Sequence, residues 1–171
     1  APEQLGLCIE WLWQQTQDEL MGLGCESMNL GVFSLAAKYG LVAESLREAL
    51  FRMTKFYGTV SNAVSFSLEE NGDEAAIKIA LSHDEAEHDH ILTEFLLIVM
   101  HRYCSWLVGR FIPIHSACFS YEEPEHSAEY QLMYATVCEF SKDKNALIIP
   151  SELLGLPIIQ NKGSLAEYLE K

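Results

Sequence analysis

The sequence is poor in basic residues. Only 11 of its 171 residues are Lys or Arg, against 25 Asp and Glu, and the net charge is −14. A protein that binds DNA or RNA through phosphate contacts needs a large basic surface, and a polybasic membrane patch needs one too. This chain is therefore expected to bind neither nucleic acid nor a membrane.

Paired cysteines, long apolar runs and common catalytic motifs are also lacking. The five cysteines are scattered without a CxxC pair, which argues against a zinc ribbon or a disulfide framework and favours reduced thiols in a cytoplasmic protein. The longest apolar run, residues 95–100, is far too short to span a bilayer. No phosphate-binding loop, dinucleotide-binding glycine pattern or nucleophile elbow is present, so neither an enzyme nor a cofactor is expected.

Length and composition are those of a globular domain. Hydrophobic residues make up 49% of the chain and charged residues 21%, which is enough apolar material for a sizeable core. There is no internal repeat, linker or low-complexity tract. Residues 1–171 are therefore predicted to form a single domain.

Hydrophobic periodicity predicts an α+β fold. The expected elements are helices over 2–20, 33–39 and 45–58, a β-hairpin over 63–70 and 74–81, a long helix over 84–111, strands over 115–121, 136–140 and 146–150 with a short helix over 124–134, and a helix in the tail. The strands occur in hairpins and not in a regular βαβ alternation. This order predicts N-terminal helices plus a mainly antiparallel sheet packed against a long central helix.

Several residues predict where helices begin and end. Ser45 and Glu48 have the spacing of a capping box, and Gly58 stands where a helix would stop. Ser164 and Glu167 have the same capping spacing in the tail. The apolar stripe of the helix after Ser45 fits a partner-binding or membrane helix, or a helix that packs on a sheet, and the strands that follow at once favour the sheet.

The stretch SHDEAEHDHILTEF, residues 82–95, is the densest group of possible metal ligands. Ser82 and Glu85 have capping-box spacing, and acidic residues are favourable in a first helical turn. His88 and His90 are two residues apart, whereas metal-binding pairs on a helix are four apart. The stretch is therefore predicted to be the solvated start of the long helix, with no metal. A small metal-dependent hydrolase that uses residues 82–90 is the alternative.

Two long segments resemble a known family. FSLAAKYGLVAESLREALFRMTKFY and ACFSYEEPEHSAEYQLMYATVCEFSKDKNALIIPSELLGLPI resemble the ligand-binding (arabinose-binding-like) N-terminal domain of AraC-type bacterial transcription regulators. The matching positions in the second segment are Phe119, Pro124, Tyr130, Phe140, Asn145, Leu147, Leu154 and Pro157. Tyr121 stands where that family often has His, and Tyr134 where it often has Phe.

The resemblance implies a ligand-sensing domain from a longer protein. In that family a helix-turn-helix DNA-binding domain follows, and it is absent from this chain, so DNA binding is expected to reside in the missing part. This part would bind a small organic effector and form a homodimer. The effector would shift the balance between two arrangements of the attached DNA-binding domains.

The motif residues do not identify the effector pocket. The predicted site is the concave side between the long helix and the sheet, lined by Phe66, His101, Tyr103, Trp106, Phe119 and Tyr121. A filled core uses the same residue types and is the alternative. An arginine at position 52, 102 or 110 could hold an effector carboxylate if it is buried. A stand-alone haem or gas sensor with His101 as axial ligand is a further alternative.

Overall fold

The computed structural model of the protein describes residues 2–82 and 90–169, with side chains from residue 6 onward. The order of elements is α1 (Pro2–Thr16), α2 (Val32–Gly40), α3 (Leu46–Val60), β1 (Val64–Asn71), β2 (Glu74–Leu81), α4 (Ile91–Leu107), β3 (Ser116–Cys118), α5 (Ser127–Tyr134), β4 (Val137–Glu139), β5 (Asn145–Pro150), a 3-10 turn (Ser151–Gly155) and α6 (Lys162–Leu169). The predicted α+β class is confirmed.

The five strands form one sheet in the order β1-β2-β5-β3-β4. β1 and β2 are the predicted hairpin, paired from Val64 with Leu81 to Asn71 with Glu74. Gly72 takes the left-handed conformation that the two-residue turn requires. All pairings are antiparallel except that between β3 and β4.

β4 and β5 were expected to form a hairpin across the polar turn of residues 141–145, and this is wrong. α5 is a crossover that brings β4 parallel to the outer side of β3, so that β3 lies between β4 and β5. A parallel pair needs such a connection, whereas a hairpin needs only a turn.

Side chains alternate along the strands, and the helices pack on the face that carries the buried ones. On β1, Val64 and Phe66 are buried while Ser65 and Ser67 are exposed. α3 packs on β1, and α4 packs on β2 and β5. The apolar stripe of α3 therefore serves the sheet, as the strands after it indicated.

The long helix is shorter than predicted at both ends. His90 has a φ of 55°, a left-handed conformation through which an α-helix cannot continue, so α4 begins at Ile91. At the other end Gly109 has a φ of 66°, and the helix stops at Leu107. The proposed cap residue Glu85 lies outside the described residues.

The residues that cap and end the helices were predicted in part. Ser45 does cap α3, accepting a hydrogen bond from the Glu48 amide at 3.3 Å. Gly58 does not end that helix, which continues to Val60. In the tail, Asn161 takes the capping role expected of Ser164, because its Oδ1 accepts the amides of residues 163 and 164.

A buried carboxylate organises the loop between α1 and α2. Asp18 is 3% exposed, and its two oxygens accept the backbone N–H groups of Leu20, Gly22 and Met28 at 2.7–3.0 Å. Glu19 does the same for two amides at the start of α2. These bonds satisfy amides that the irregular loop would otherwise leave unpaired.

A buried side-chain contact joins α4 to α2. Tyr103 of α4 is fully buried, and its hydroxyl donates to the backbone oxygen of Ala37 at 3.2 Å. The contact needs a glycine at position 40, because a Cβ there would lie 2.3 Å from the Tyr103 hydroxyl oxygen.

We expect Gly40→Ala to destabilise the protein by about 2 kcal/mol, since neither the buried ring nor the helix can move freely. In a Tyr103→Phe background the same change should be neutral or slightly stabilising. The nearest ring atom then lies 3.5 Å away, and alanine is the better helix former by roughly 0.5–1 kcal/mol. Urea unfolding of the four proteins of this double-mutant cycle, followed by circular dichroism, measures the coupling. Additive costs would contradict the steric account.

Candidate functional site

The six predicted site residues occupy separate places. Phe66 is buried on β1, and its ring centroid lies 4.6 Å from that of Tyr57 on α3. His101 is half-buried on α4, with Nε2 2.7 Å from the backbone oxygen of Ile112 and its ring edge-on to Phe111. Neither Phe66 nor His101 contacts the other predicted residues through its ring.

Tyr103 and Trp106 come together in the middle of the helix layer. Their ring centroids are 6.0 Å apart, and Tyr168 of α6 stacks on Trp106 at 4.6 Å. Burial raises the pKa of Tyr168 to about 12. These rings fill the space between α2, α4 and α6, which is the packing expected of a core.

Phe119 and Tyr121 come together in a fourth place, which we call the tyrosine cluster. It consists of the rings of Phe119, Tyr121, Tyr130, Tyr134 and Phe140. The four outer centroids lie 5.1–5.5 Å from that of Phe119, which is fully buried. The rings come from segments that follow β3 and β4 and from one face of α5.

Hydroxyl groups of the tyrosine cluster converge on Glu94 in the first turn of α4. Tyr130 donates to the Glu94 carboxylate, and Tyr134 donates to its backbone oxygen at 3.1 Å. The Tyr121 hydroxyl lies 3.2 Å from that of Tyr130. Since Tyr130 has given its only proton to Glu94, Tyr121 is the donor in that pair. The cluster thus combines aromatic walls with a chain of hydrogen bonds that ends on a carboxylate.

His90 covers one side of the tyrosine cluster. Its imidazole stacks on the Tyr121 ring with centroids 3.6 Å apart and planes within 4°. Its Nδ1 is buried and has no hydrogen-bond partner among the described residues. The left-handed backbone at His90, unusual for a residue with a side chain, turns the imidazole onto the cluster.

The first turn of the long helix was expected to be solvated, and for His90 and Glu94 this is wrong. Both side chains are half-buried against the tyrosine cluster, because the left-handed residue redirects the chain just before α4. The pairing of Tyr130 with Tyr134, four residues apart on a predicted helix, was the available sign of a shared face. No local pattern connects them to Glu94.

The described residues give little support to the metal and arginine hypotheses. Within residues 2–82 and 90–169, no three His, Cys, Asp or Glu side chains come close enough to hold a metal ion; residues 83–89 lie outside that range. Arg102 and Arg110 are exposed, and Arg52 is ion-paired with Glu48 at 2.7 Å. None of the three is therefore a buried arginine that could bind an effector carboxylate.

Among the helices described, none combines the length and the apolar character that crossing a bilayer requires.

The buried tyrosines make the fold sensitive to alkaline pH. Burial is the first cause of a raised pKa in all of Tyr57, Tyr103, Tyr121, Tyr130, Tyr134 and Tyr168. A group whose pKa is higher in the folded state contributes its full stability below its unfolded pKa, about 10 for tyrosine, and loses it as the pH rises through the folded value.

We therefore expect the free energy of unfolding to fall above about pH 10. Tyrosinate ultraviolet absorbance should then rise together with loss of circular dichroism. Complete tyrosinate formation near pH 10 in a protein with unchanged circular dichroism would contradict this expectation.

Comparison with known proteins identifies the family. The model of the family described as "Arabinose-binding domain of AraC transcription regulator, N-term" matches residues 1–158. The fold is similar to the crystal structure of the transcriptional regulator CdpR from Pseudomonas aeruginosa, with a TM-score of 0.52 and 16% identity. The similarity covers 79% of this chain and 43% of CdpR, so the chain spans less than half of that protein. No protein with a curated description matches.

The family match covers nearly the whole chain and confirms the resemblance found in its sequence. It favours neither a haem sensor nor a metal-dependent hydrolase. The chain belongs to the family of N-terminal arabinose-binding domains of AraC transcription regulators, and it is a ligand-sensing regulatory domain.

Proposed function

We propose that a small organic effector binds at the tyrosine cluster and that this binding controls an attached DNA-binding domain. The observation that carries the proposal is the convergence of two tyrosine hydroxyls on Glu94 inside a shell of aromatic rings, with the Tyr121 hydroxyl bonded to one of them. Phe119 and Tyr121, two of the six residues predicted from the sequence, belong to this shell. Phe66, His101, Tyr103 and Trp106 lie elsewhere, and in this proposal they support the fold around the site.

The chemistry of the tyrosine cluster selects the kind of effector. Ring faces bind a flat or apolar body, the Glu94 carboxylate accepts hydrogen bonds from N–H or O–H groups, and the tyrosine hydroxyls can both donate and accept. An effector with an aromatic ring could take the place on Tyr121 that the His90 imidazole holds. A compact organic molecule with at least one hydrogen-bond donor fits these groups.

The position of the tyrosine cluster suggests how binding would be transmitted. Its residues come from α4, α5 and the segments after β3 and β4, so an effector there would contact several elements at once. Differential affinity for two arrangements of these elements would shift their populations. Through a homodimer, this shift would change the spacing of two DNA-binding domains. This role needs no catalytic step, and the bacterial cytoplasm is where it would operate.

An effector screen tests the site. Isothermal titration of candidates found by thermal shift should give a Kd that rises at least about tenfold in Glu94→Gln, because a hydrogen bond to a charged group is lost. Tyr121→Phe should weaken binding by a smaller factor. Tyr39→Phe, a tyrosine on α2 outside the cluster, is the matched control and should leave Kd unchanged. Equal affinity in all four proteins would place the effector elsewhere.

The proposed domain arrangement has a separate test. The full-length gene product should encode a helix-turn-helix region after residue 171, and the longer protein should bind promoter DNA in a gel-shift assay while residues 1–171 alone should not. A gene product without that region would refute control of attached DNA-binding domains.

A further inference from the structure

The sheet has an open edge at β1. β1 lies at the end of the strand order, and among the described strands it pairs with β2 alone. The pairing runs without a bulge over all eight residues, and β1 contains no proline. A regular edge strand of this length offers a row of backbone donors and acceptors to another chain.

The register shows which backbone groups of β1 point toward the open edge. The backbone N–H of Ser82 donates to the backbone oxygen of Ala63 at 2.9 Å, and Asn71 pairs with Glu74 across a two-residue turn. Hydrogen-bonded pairs alternate along an antiparallel ladder, so odd-numbered residues of β1 bond to β2. The backbone groups of Leu68 and Glu70 therefore point away from β2, toward the open edge.

A groove runs between this open edge and α3. Its volume is about 720 Å³, and its lining residues are Arg47, Phe51, Thr54, Lys55, Gly58, Thr59, Ser67, Leu68 and Glu70. Gly58 leaves the floor open, because a Cβ there would meet no atom within 4 Å. Phe51 is 56% exposed at the rim. The groove thus places two apolar side chains, Phe51 and Leu68, beside the outward backbone groups of β1.

The lining of the groove carries one more positive than negative side chain, on a strongly acidic chain. Lys55 lies 5.4 Å from the centre of the Phe51 ring and forms no ion pair among the residues described. Arg47 contacts both Glu70 carboxylate oxygens at 2.9 Å. The two cations exceed the one acid, so the Lys55 ammonium group is available to a carboxylate that enters the groove.

A bare extended segment fits this edge better than a second copy of the chain. α3 packs directly on β1. If two β1 strands paired, at a spacing of about 4.8 Å, the two α3 helices would approach more closely than the roughly 8–10 Å that helix packing requires. A strand that carries no helix meets no such obstacle.

We propose that this groove binds an extended acidic peptide segment of a partner protein, which adds to the sheet beside β1. Side chains of the added strand alternate, so every second one enters the groove. One apolar side chain lies over Gly58 against Phe51, and a carboxylate two residues along the segment contacts Lys55. The site is independent of the tyrosine cluster, which lies toward the β3–β4 end of the sheet.

The probe is the labelled peptide acetyl-Thr-Leu-Thr-Glu-Thr-Leu-Thr-amide, which places Leu and Glu on one face. Fluorescence anisotropy should show saturable binding to the chain. Glu70→Pro should weaken it at least about tenfold, because proline removes an outward N–H and is tolerated on an edge strand. Glu70→Ala, which loses the same carboxylate but keeps the N–H, should bind as the unchanged protein does or more tightly.

Two further pairs of variants, each a test substitution with its control, probe the groove itself. Gly58→Leu, which fills the floor, should weaken binding at least about tenfold, whereas Gly58→Ala should have little effect. Lys55→Gln should weaken binding about threefold or more and reduce its salt dependence. The control is Lys38→Gln, at an exposed lysine of α2 outside the groove. This substitution should change neither the affinity nor its salt dependence. Each variant is checked by circular dichroism.

Backbone pairing is tested with two N-methylated peptides, one modified at the Thr positions and one at Leu and Glu. Only one set of amides faces β1 in an added strand, so one peptide should bind much more weakly than the other. Equal binding of the two, or binding unaffected by Glu70→Pro, would overturn the proposal. So would a dimer of the chain that Glu70→Pro dissociates, because a second copy would then occupy the edge.

Discussion

The contact of the Tyr103 side chain with α2 is a steric constraint at the centre of the helix layer. A fully buried tyrosine reaches a backbone oxygen of α2 only because residue 40 carries no side chain, and even one carbon there would overlap the Tyr103 hydroxyl. The same helix packs on β2 and β5, and Trp106 and Tyr168 stack beside Tyr103. Glu94 lies in the first turn of this helix.

Two surfaces with different chemistry result from one sheet. Toward β3 and β4, five rings and a carboxylate form a compact polar–aromatic cluster that suits a small effector. At β1, an unpaired edge and a cationic groove suit an extended chain. α3 packs on β1, and α4 packs on β2 and β5, so helices lie between the two places.

Local patterns predicted much of the fold and little of the site. The β1–β2 hairpin and the Ser45 cap were recognisable because alternation, turn residues and capping spacing are local. The start of α4 was not, since it depends on a left-handed residue. The continuation of α3 past Gly58 was not recognised either, because glycine does not by itself end a helix. Aromatic content pointed to Phe119 and Tyr121, which the structure places in the tyrosine cluster, whereas Glu94 is joined to the cluster only in space.

The sequence by itself determined the α+β class, the antiparallel hairpin and the family, because composition, periodicity and motif order are properties of the chain. Only the tertiary structure decided which polar groups meet. Glu94 and Tyr130 are 36 residues apart and touch because α5 crosses over to place β4 beside β3. Contacts of that kind depend on loop closure and packing between elements, and no spacing along the chain encodes them.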